Sequence, residues 1–231
     1  MKKIVVLSGA GISAESGIQT FRDADGLWEG HDVKKVATPE GFSSNPQLVL
    51  NFYNERRSQL KNVQPNKAHI EIAKLESRAQ VVVITQNVDD LHERAGSTKV
   101  IHLHGELLKA RSTRYQDLIY AWDKDIKLGD LCEKGAQIRP HIVWFGEEVP
   151  MIEPAIKEIV DADIVLVVGS SMQVYPAASL VSYAMPYTSV FYLDPKPSIS
   201  YELSQRKNLK IIAEVASTGI VKFLEEIEDS L

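Results

Sequence analysis

Seven short apolar runs punctuate the chain: KIVVL (3–7), QVVVIT (80–85), VIHL (100–103), HIVWF (141–145), DIVLVVG (163–169), SVFYL (189–193) and LKIIA (209–213). They are nearly continuous in Val, Ile and Leu instead of alternating with polar residues, the pattern of parallel strands covered on both faces. Between them the period changes. PNKAHIEIAKLES (65–77) carries apolar residues at 68, 70, 72 and 75, and EPAIKEIVDA (153–162), PAASLVSYAM (176–185) and GIVKFLEEIEDSL (219–231) read as helices. Strands alternating with helices predict an α/β fold, an open and mostly parallel Rossmann-like sheet with helices on both faces.

Two stretches break that rhythm. Residues 24–63 hold a polar, aromatic flap and then a helix, NPQLVLNFYNERRSQLKNV; residues 106–140 are polar and weakly periodic. These insertions predict a smaller lobe of about residues 29–63 and 106–140. The large lobe takes about 1–28, 64–105 and 141–231, the whole forming one catalytic unit. The 231 residues suffice for a core without disulfide staples. A net charge of −5 leaves no basic surplus for phosphates, so no nucleic acid is expected as a partner. The single cysteine, Cys132, rules out an internal disulfide and a multi-cysteine metal site. MKKIVVLSGAG is too short in its apolar part for a signal peptide, and no run approaches a membrane span. A cytoplasmic protein without a membrane partner is expected.

Candidate chemistry begins directly after the first strand. Gly9, Ala10, Gly11, Ile12, Ser13 and Ala14 fit the G-x-G-x-x-G/A turn, whose glycines let a pyrophosphate approach the backbone at a helix start. A tight turn without ligand is the alternative. The acidic residue expected about 20 positions on is missing, because DADGLWEGHDVKK is no strand. Phe21, Arg22, Asp23 and Trp28 follow instead, and a cation with two aromatics beside a phosphate loop suggests a lid; core aromatics with a solvated arginine are the alternative. TQNVDD ends the QVVVI strand, so Gln86, Asn87 and Asp89 project where sheet ligands bind, able to hold ribose hydroxyls and a carboxamide. Asn87 or Asp89 could equally cap a helix. His102 and His104, two apart, are expected on one side of a strand. They lack further ligands for a metal, and His104, last before Gly105, suits a general base. His69 and His141 read as hydrogen-bonded structural residues, His31 and His92 as surface ones.

With GAGISAESGIQTFRD, TQNVDDLHERAG, HLHGEL, RPHIVWFGE and GSSMQVYPA in that order, the chain resembles the sirtuins, NAD-dependent protein-lysine deacylases, over nearly its whole length. The likeness is greatest to the bacterial type. The resemblance implies NAD as cofactor. It would be held by the turn from Gly9 to Ser13 with Glu15, by a loop carrying Phe21, Arg22, Asp23 and Trp28, and by Gln86, Asn87, Val88 and Asp89. Gly169, Ser170 and Ser171 would meet the phosphate and adenosine half. Tyr192, Leu193, Asp194 and Ala216 complete the implied contacts, Tyr192 through its backbone only, since YLDP replaces an Asn-containing segment. Gln19 stands where proline is frequent. His104, Asn87 and Asp89 would be catalytic. Val143, Phe145, Gly146, Glu147 and Val174 would grip the substrate backbone as an added strand. The implied reaction displaces nicotinamide by the acyl-lysine carbonyl oxygen. His104 then takes a proton from a ribose hydroxyl, and free lysine and O-acyl-ADP-ribose result.

Tyr53 and Arg56, three apart on a helix, share a face and could bind a carboxylate. A packed tyrosine beside a solvated arginine is the alternative. The resemblance places the pair where sirtuins acting on acidic acyl groups carry theirs, so desuccinylation or demalonylation alongside deacetylation is expected. Sirtuins usually hold zinc with four cysteines in the small lobe. Here Ser112 stands at the first such position and Cys132 is alone, so no zinc and no other metal is expected. The expected partners are acyl-lysine proteins, with the enzyme monomeric. An ADP-ribosyltransferase, or a non-catalytic module binding NAD or ADP-ribose, would use the same fold.

Overall fold

The computed structural model describes residues 1–19, 27–28 and 30–231. Its strands are, in chain order, β1 (Lys3–Ser8), β2 (Leu27–Trp28), β3 (His31–Asp32), β4 (Gln80–Thr85), β5 (Val100–His102), β6 (Gly105–Ser112), β7 (Ile119–Ala121), β8 (Ile138–Ile142), β9 (Ile164–Val168), β10 (Ser189–Leu193) and β11 (Leu209–Ile212). The helices are α1 (Val33–Val36), α2 (Pro39–Ser44), α3 (Pro46–Asn62), α4 (Lys67–Lys74), α5 (Leu91–Ala95), α6 (Ile152–Val160), α7 (Tyr201–Ser204) and α8 (Ala216–Ile227).

Six of the strands form one parallel sheet in the order β11-β10-β9-β1-β4-β5. Counted within that sheet, this is the 3-2-1-4-5-6 order of the doubly wound dinucleotide-binding fold. The apolar runs are continuous because both faces are covered. In β1, Ile4 and Val6 enter the core under α4 and α8, while Val5 and Leu7 enter the core under α6 and the 3-10 helix Ala177–Tyr183. The segment at 176–185 is therefore helical but 3-10. Strand order reverses at β1, between β4 and β9. Such a switch point leaves a crevice beyond the carboxyl ends of the strands.

The expected strand at 141–145 is not part of this sheet. Its neighbourhood belongs to β8, which pairs antiparallel with β6 in a second sheet of order β7-β6-β8. The chain enters β6 through Gly105 (φ 84°), where an added Cβ would stand 2.0 Å from the His141 carbonyl oxygen. That close approach commits residues 105–142 to a local antiparallel fold. Helix α3 begins at Pro46, with the Asn45 side chain accepting from the Leu48 N–H (3.0 Å). It buries Val49, Phe52, Tyr53 and Leu60 against Leu107, Ile142 and Trp144. Arg57 locks this packing by donating from Nε to the Leu107 carbonyl (3.0 Å). Among the described residues no helix is long and apolar enough to cross a membrane.

Candidate active site

The glycine turn leaves β1 and lies backbone to backbone on the turn that leaves β9. Gly9 N–H donates to the Val168 carbonyl (3.1 Å) and Gly11 N–H to the Gly169 carbonyl (2.8 Å). A Cβ on Gly11 would stand 2.7 Å from Gly169 Cα, and Gly169 itself holds φ 60°. These glycines are required by contact between two loops, a constraint that acts before any ligand arrives. The helical segment after the turn, Ala10–Ser16, is 3-10 and stops at Gly17 (φ 95°). Ile12 buries its side chain in the core beneath it, and its N–H donates to the Gly9 carbonyl (3.1 Å). Glu15 accepts from Ser217 N–H (2.9 Å) and Oγ (2.6 Å), which ties the turn to the start of α8.

Beside the turn, the end of β4 presents a closed set of polar contacts. Asn87 Nδ2 donates to Ser13 Oγ (3.1 Å), and Ser13 Oγ–H donates to Asp89 Oδ2 (3.0 Å). Gln86 Nε2 donates to Ser170 Oγ (3.0 Å), bridging β4 to β9. Ser13, Asn87, Asp89 and Ser170 are buried. Burial pushes the Asp89 carboxyl above the usual carboxylate range, opposed by the Leu91 N–H and the Ser13 hydroxyl. Asp89 Oδ1 also accepts from Leu91 N–H (3.2 Å), although the cap position of α5 is Asp90, whose side chain makes no capping bond. Two carboxamides, two hydroxyls and one carboxylate thus converge on the switch point, beside the half-buried backbone of Gly11. This donor set fits a ligand that combines hydroxyls, a carboxamide and phosphates, as NAD does.

His104 lies just past the end of β5. Its Nδ1 sits 3.0 Å from the Gln86 carbonyl oxygen. A carbonyl can only accept, so Nδ1 carries the proton and Nε2 keeps its lone pair. Burial lowers the His104 pKa, opposed by that carbonyl, and favours the neutral ring. His102 does not share this cleft. Sheet pairing stops at His102, and its ring goes instead to the Asn87 carbonyl (Nδ1, 3.2 Å) and Glu93 (Nε2, 2.7 Å).

The Sir2 family model matches residues 9–176 of this sequence, which takes in the turn, the polar set and both histidines. The chain belongs to the Sir2 family. A relative from Helicobacter pylori, named NAD-dependent protein deacylase, is 59% identical over 196 residues, covering 85% of this chain and 86% of the relative. A solved Sir2 homologue in complex with NAD has a TM-score of 0.86 at 37% identity, covering 99% of this chain and 90% of that one. A Sir2 protein bound to acetylated peptide has a TM-score of 0.78 at 31% identity, covering 96% and 92%.

The remaining expected site residues of this sirtuin divide by their surroundings. Phe21, Arg22 and Asp23 lie outside the described residues. Trp28 packs edge-on against Phe52 (5.1 Å) and Tyr53 (5.9 Å). Val88 lines the same small cavity as Trp28 and Arg56. Tyr192 is wholly buried in β10, its hydroxyl donating to the Ser170 carbonyl (3.0 Å) and accepting from Ser198 N–H (3.3 Å). Leu193 is wholly buried, Asp194 caps its own turn through Lys196 N–H (2.9 Å), and Ala216 is buried at the head of α8. Ser171 is half-buried beside Ser170.

On the side of β8, Val143 N–H donates to the His104 carbonyl (2.9 Å), joining the two loops. Phe145 is exposed and Gly146 holds φ 90°. Glu147 accepts from Trp144 N–H (2.8 Å), from Arg139 (2.6 Å) and from Arg111 (3.0 Å), so its carboxylate shapes the Phe145–Gly146 bend. Val174 is half-buried, its carbonyl accepting from Ala178 N–H (2.9 Å). Ser112 and Cys132 do meet, Sγ donating to Oγ at 3.4 Å, while Ser112 Oγ also accepts from Arg114 and Tyr115 N–H (both 3.2 Å).

Sequence reasoning missed the layer behind the turn. His92, expected at the surface, is buried and bonded through Nε2 to Ser8 Oγ (2.9 Å). Its ring meets His69 edge-on at 4.9 Å, and His69 Nδ1 accepts from Asn66 N–H (3.3 Å). Asn66 Nδ2 then donates to the Ile12 carbonyl (2.7 Å) and to Ser16 Oγ (3.1 Å). The Asn66-x-x-His69 spacing before a helix was the available signal. His141, half-buried, has no partner for Nδ1 among the described residues.

Proposed function

We propose that this chain is an NAD-dependent protein-lysine deacylase and that His104 is its general base. The observation that carries the role is the His104 ring itself. Its Nδ1 is committed to a carbonyl, so its Nε2 lone pair is the group left for proton transfer. Ser13, Gln86, Asn87, Asp89 and Ser170 would hold the cofactor with the turns at Gly9–Gly11 and Gly169, and Ser171 and the backbone at 192–194 and 216 would take its adenosine end. Bound NAD supplies the sugar carbon from which nicotinamide leaves and the hydroxyl that receives the acyl group. Asn87 and Asp89, linked through Ser13, hold hydroxyl and carboxamide groups in fixed places. Phe145, Gly146 and Val174 would present backbone to an extended substrate, with Glu147 holding the Phe145–Gly146 bend. Residues 29–63 and 106–140 act as a small lobe against the large one, in one catalytic unit.

The acyl preference of this reading includes acidic chains. Arg56 lines the cavity with Ile18, Trp28, Leu60 and Leu107, and its Nε and Nη1 are buried without a hydrogen-bond partner among the described residues. A succinyl or malonyl carboxylate would satisfy them. Tyr53 is fully buried, and its oxygen accepts from Trp144 Nε1 (3.0 Å). Burial drives that phenol far above its ordinary pKa, leaving it a neutral donor. Arg56→Met is expected to lower desuccinylation about ten- to a hundredfold, the worth of a charge-assisted hydrogen bond, with deacetylation within about twofold. Equal loss on both peptides would remove Arg56 from acyl selection. A cytoplasmic monomer without zinc completes the reading, supported by a lone thiol that faces a serine hydroxyl.

A further inference from the structure

His102 stands between two sets of oxygens, and no neutral imidazole can satisfy both. Nδ1 faces the Asn87 carbonyl at 3.2 Å. Nε2 faces Glu93 Oε1 at 2.7 Å and Glu106 Oε1 at 3.8 Å. A neutral ring has one N–H and one lone pair. With the proton on Nδ1, a lone pair points at two carboxylates; with the proton on Nε2, it points at a carbonyl. Only the doubly protonated ring donates on both sides. The ring is nearly enclosed, with a side-chain exposure of 8%.

The charged surroundings agree. Glu93 approaches from α5 with His92 behind it, and Asp89 and Asp90 from the β4–α5 loop line the same cavity. Strand β6 brings Glu106 together with Lys109, whose ammonium is paired to Glu106, and β8 brings His141. Burial pulls the His102 imidazole down, but Glu93 and then Glu106 outweigh it and hold it above the ordinary histidine value. Two residues on, His104 is shifted the opposite way, burial outweighing the Gln86 carbonyl.

We propose that His102 acts as an imidazolium and is the positioning residue for Asn87, clamping that backbone to α5 through Glu93. The proposal rests on the deacylase reading for its kinetic consequence. His104 must be neutral to accept a proton, so turnover rises as pH passes upward through its pKa. His102 must be charged to hold Asn87, so cofactor use falls as pH passes upward through its own. The two imidazoles therefore bound the active range from opposite sides, His104 below and His102 above.

Nitrogen-15 spectra of labelled histidine in the full chain, without cofactor and with a chelator present, read the ring states directly. One ring is expected to stay doubly protonated above the ordinary histidine range, and its signal to vanish in His102→Gln. Glu93→Gln, at an exposed carboxylate, is expected to move that titration to lower pH. The alkaline limb of kcat/KM for NAD should move with it, by the same interval, and the acid limb should stay in place. Across the alkaline limb a loss of about ten- to a hundredfold corresponds to one charge-assisted hydrogen bond. A His102 ring that is neutral at pH 7 overturns the proposal. So does an imidazolium whose loss leaves the alkaline limb unmoved, since His102 would then be structural only. A chain that deacylates nothing refutes the deacylase reading instead, while the spectra still decide the state of His102.

Discussion

Four imidazoles within a few residues of the cleft have four different jobs, set by what each nitrogen touches. His104 has its Nδ1 fixed by one carbonyl and is held neutral by burial, and His102 is held between oxygens of both strengths. His69 and His92 are buried against each other behind the turn, each with one ring nitrogen lacking a partner among the described residues. Burial lowers the His69 pKa to about 4 from 6.5, and that of His92 well below 6.5. A histidine depressed in the fold is neutral there while the unfolded chain takes a proton below about 6.5. Its contribution is present at neutral pH and drains away as pH falls from about 6.5 to about 4. For His69 the limit is roughly 3 kcal/mol. Urea unfolding at a series of pH values should show wild type losing more stability over that interval than His69→Gln. Parallel curves would mean that His69 titrates in the fold as it does in the unfolded chain.

At the scale of elements, the site depends on two loops touching through glycine. Gly11→Ala must push a methyl into Gly169 backbone at 2.7 Å. Overpacking of this kind costs about 1–3 kcal/mol, a fall in Tm of roughly 2–12 °C for a chain of this size, and cofactor affinity should drop with it. Unchanged Tm and affinity would mean the loops separate at no cost. The turn, the polar set after β4 and the histidine after β5 were legible in sequence because each ends an apolar run with abrupt polarity. The small sheet was not. Strand β6 alternates in burial, but a register shift between Glu106 and Ala110 breaks its period, so ELLKARS reads as weakly patterned. HIVWF misled for a related reason: Ile142 and Trp144 are apolar to pack on α3, not to enter the parallel sheet. His92 was misplaced because a histidine in LHERAG looks solvated until Ser8 and His69 close over it.

Over the whole molecule, the order β5-β4-β1-β9-β10-β11 puts the ends of β1, β4 and β9 side by side, which brings the glycine turn, the polar set and Ser170 together, with His104 one strand further along. Residues 105–142 are knit by Ala110, Ile126, Cys132 and Ile138 packing on Leu50, and by Ser112 serving two turn amides. If, as proposed, such packing holds the lobe without a structural metal, elemental analysis of the purified chain should find zinc far below one per molecule. A stoichiometric content would contradict a zinc-free lobe. The most direct test of the central claim is to mix the chain with NAD and an acetyl- or succinyl-lysine peptide and count products by mass spectrometry. Deacylation by this site predicts one nicotinamide for each deacylated peptide, with His104→Ala still binding NAD but forming neither. Nicotinamide released with ADP-ribose left on an acceptor, no release at all, or undiminished deacylation by His104→Ala would contradict it.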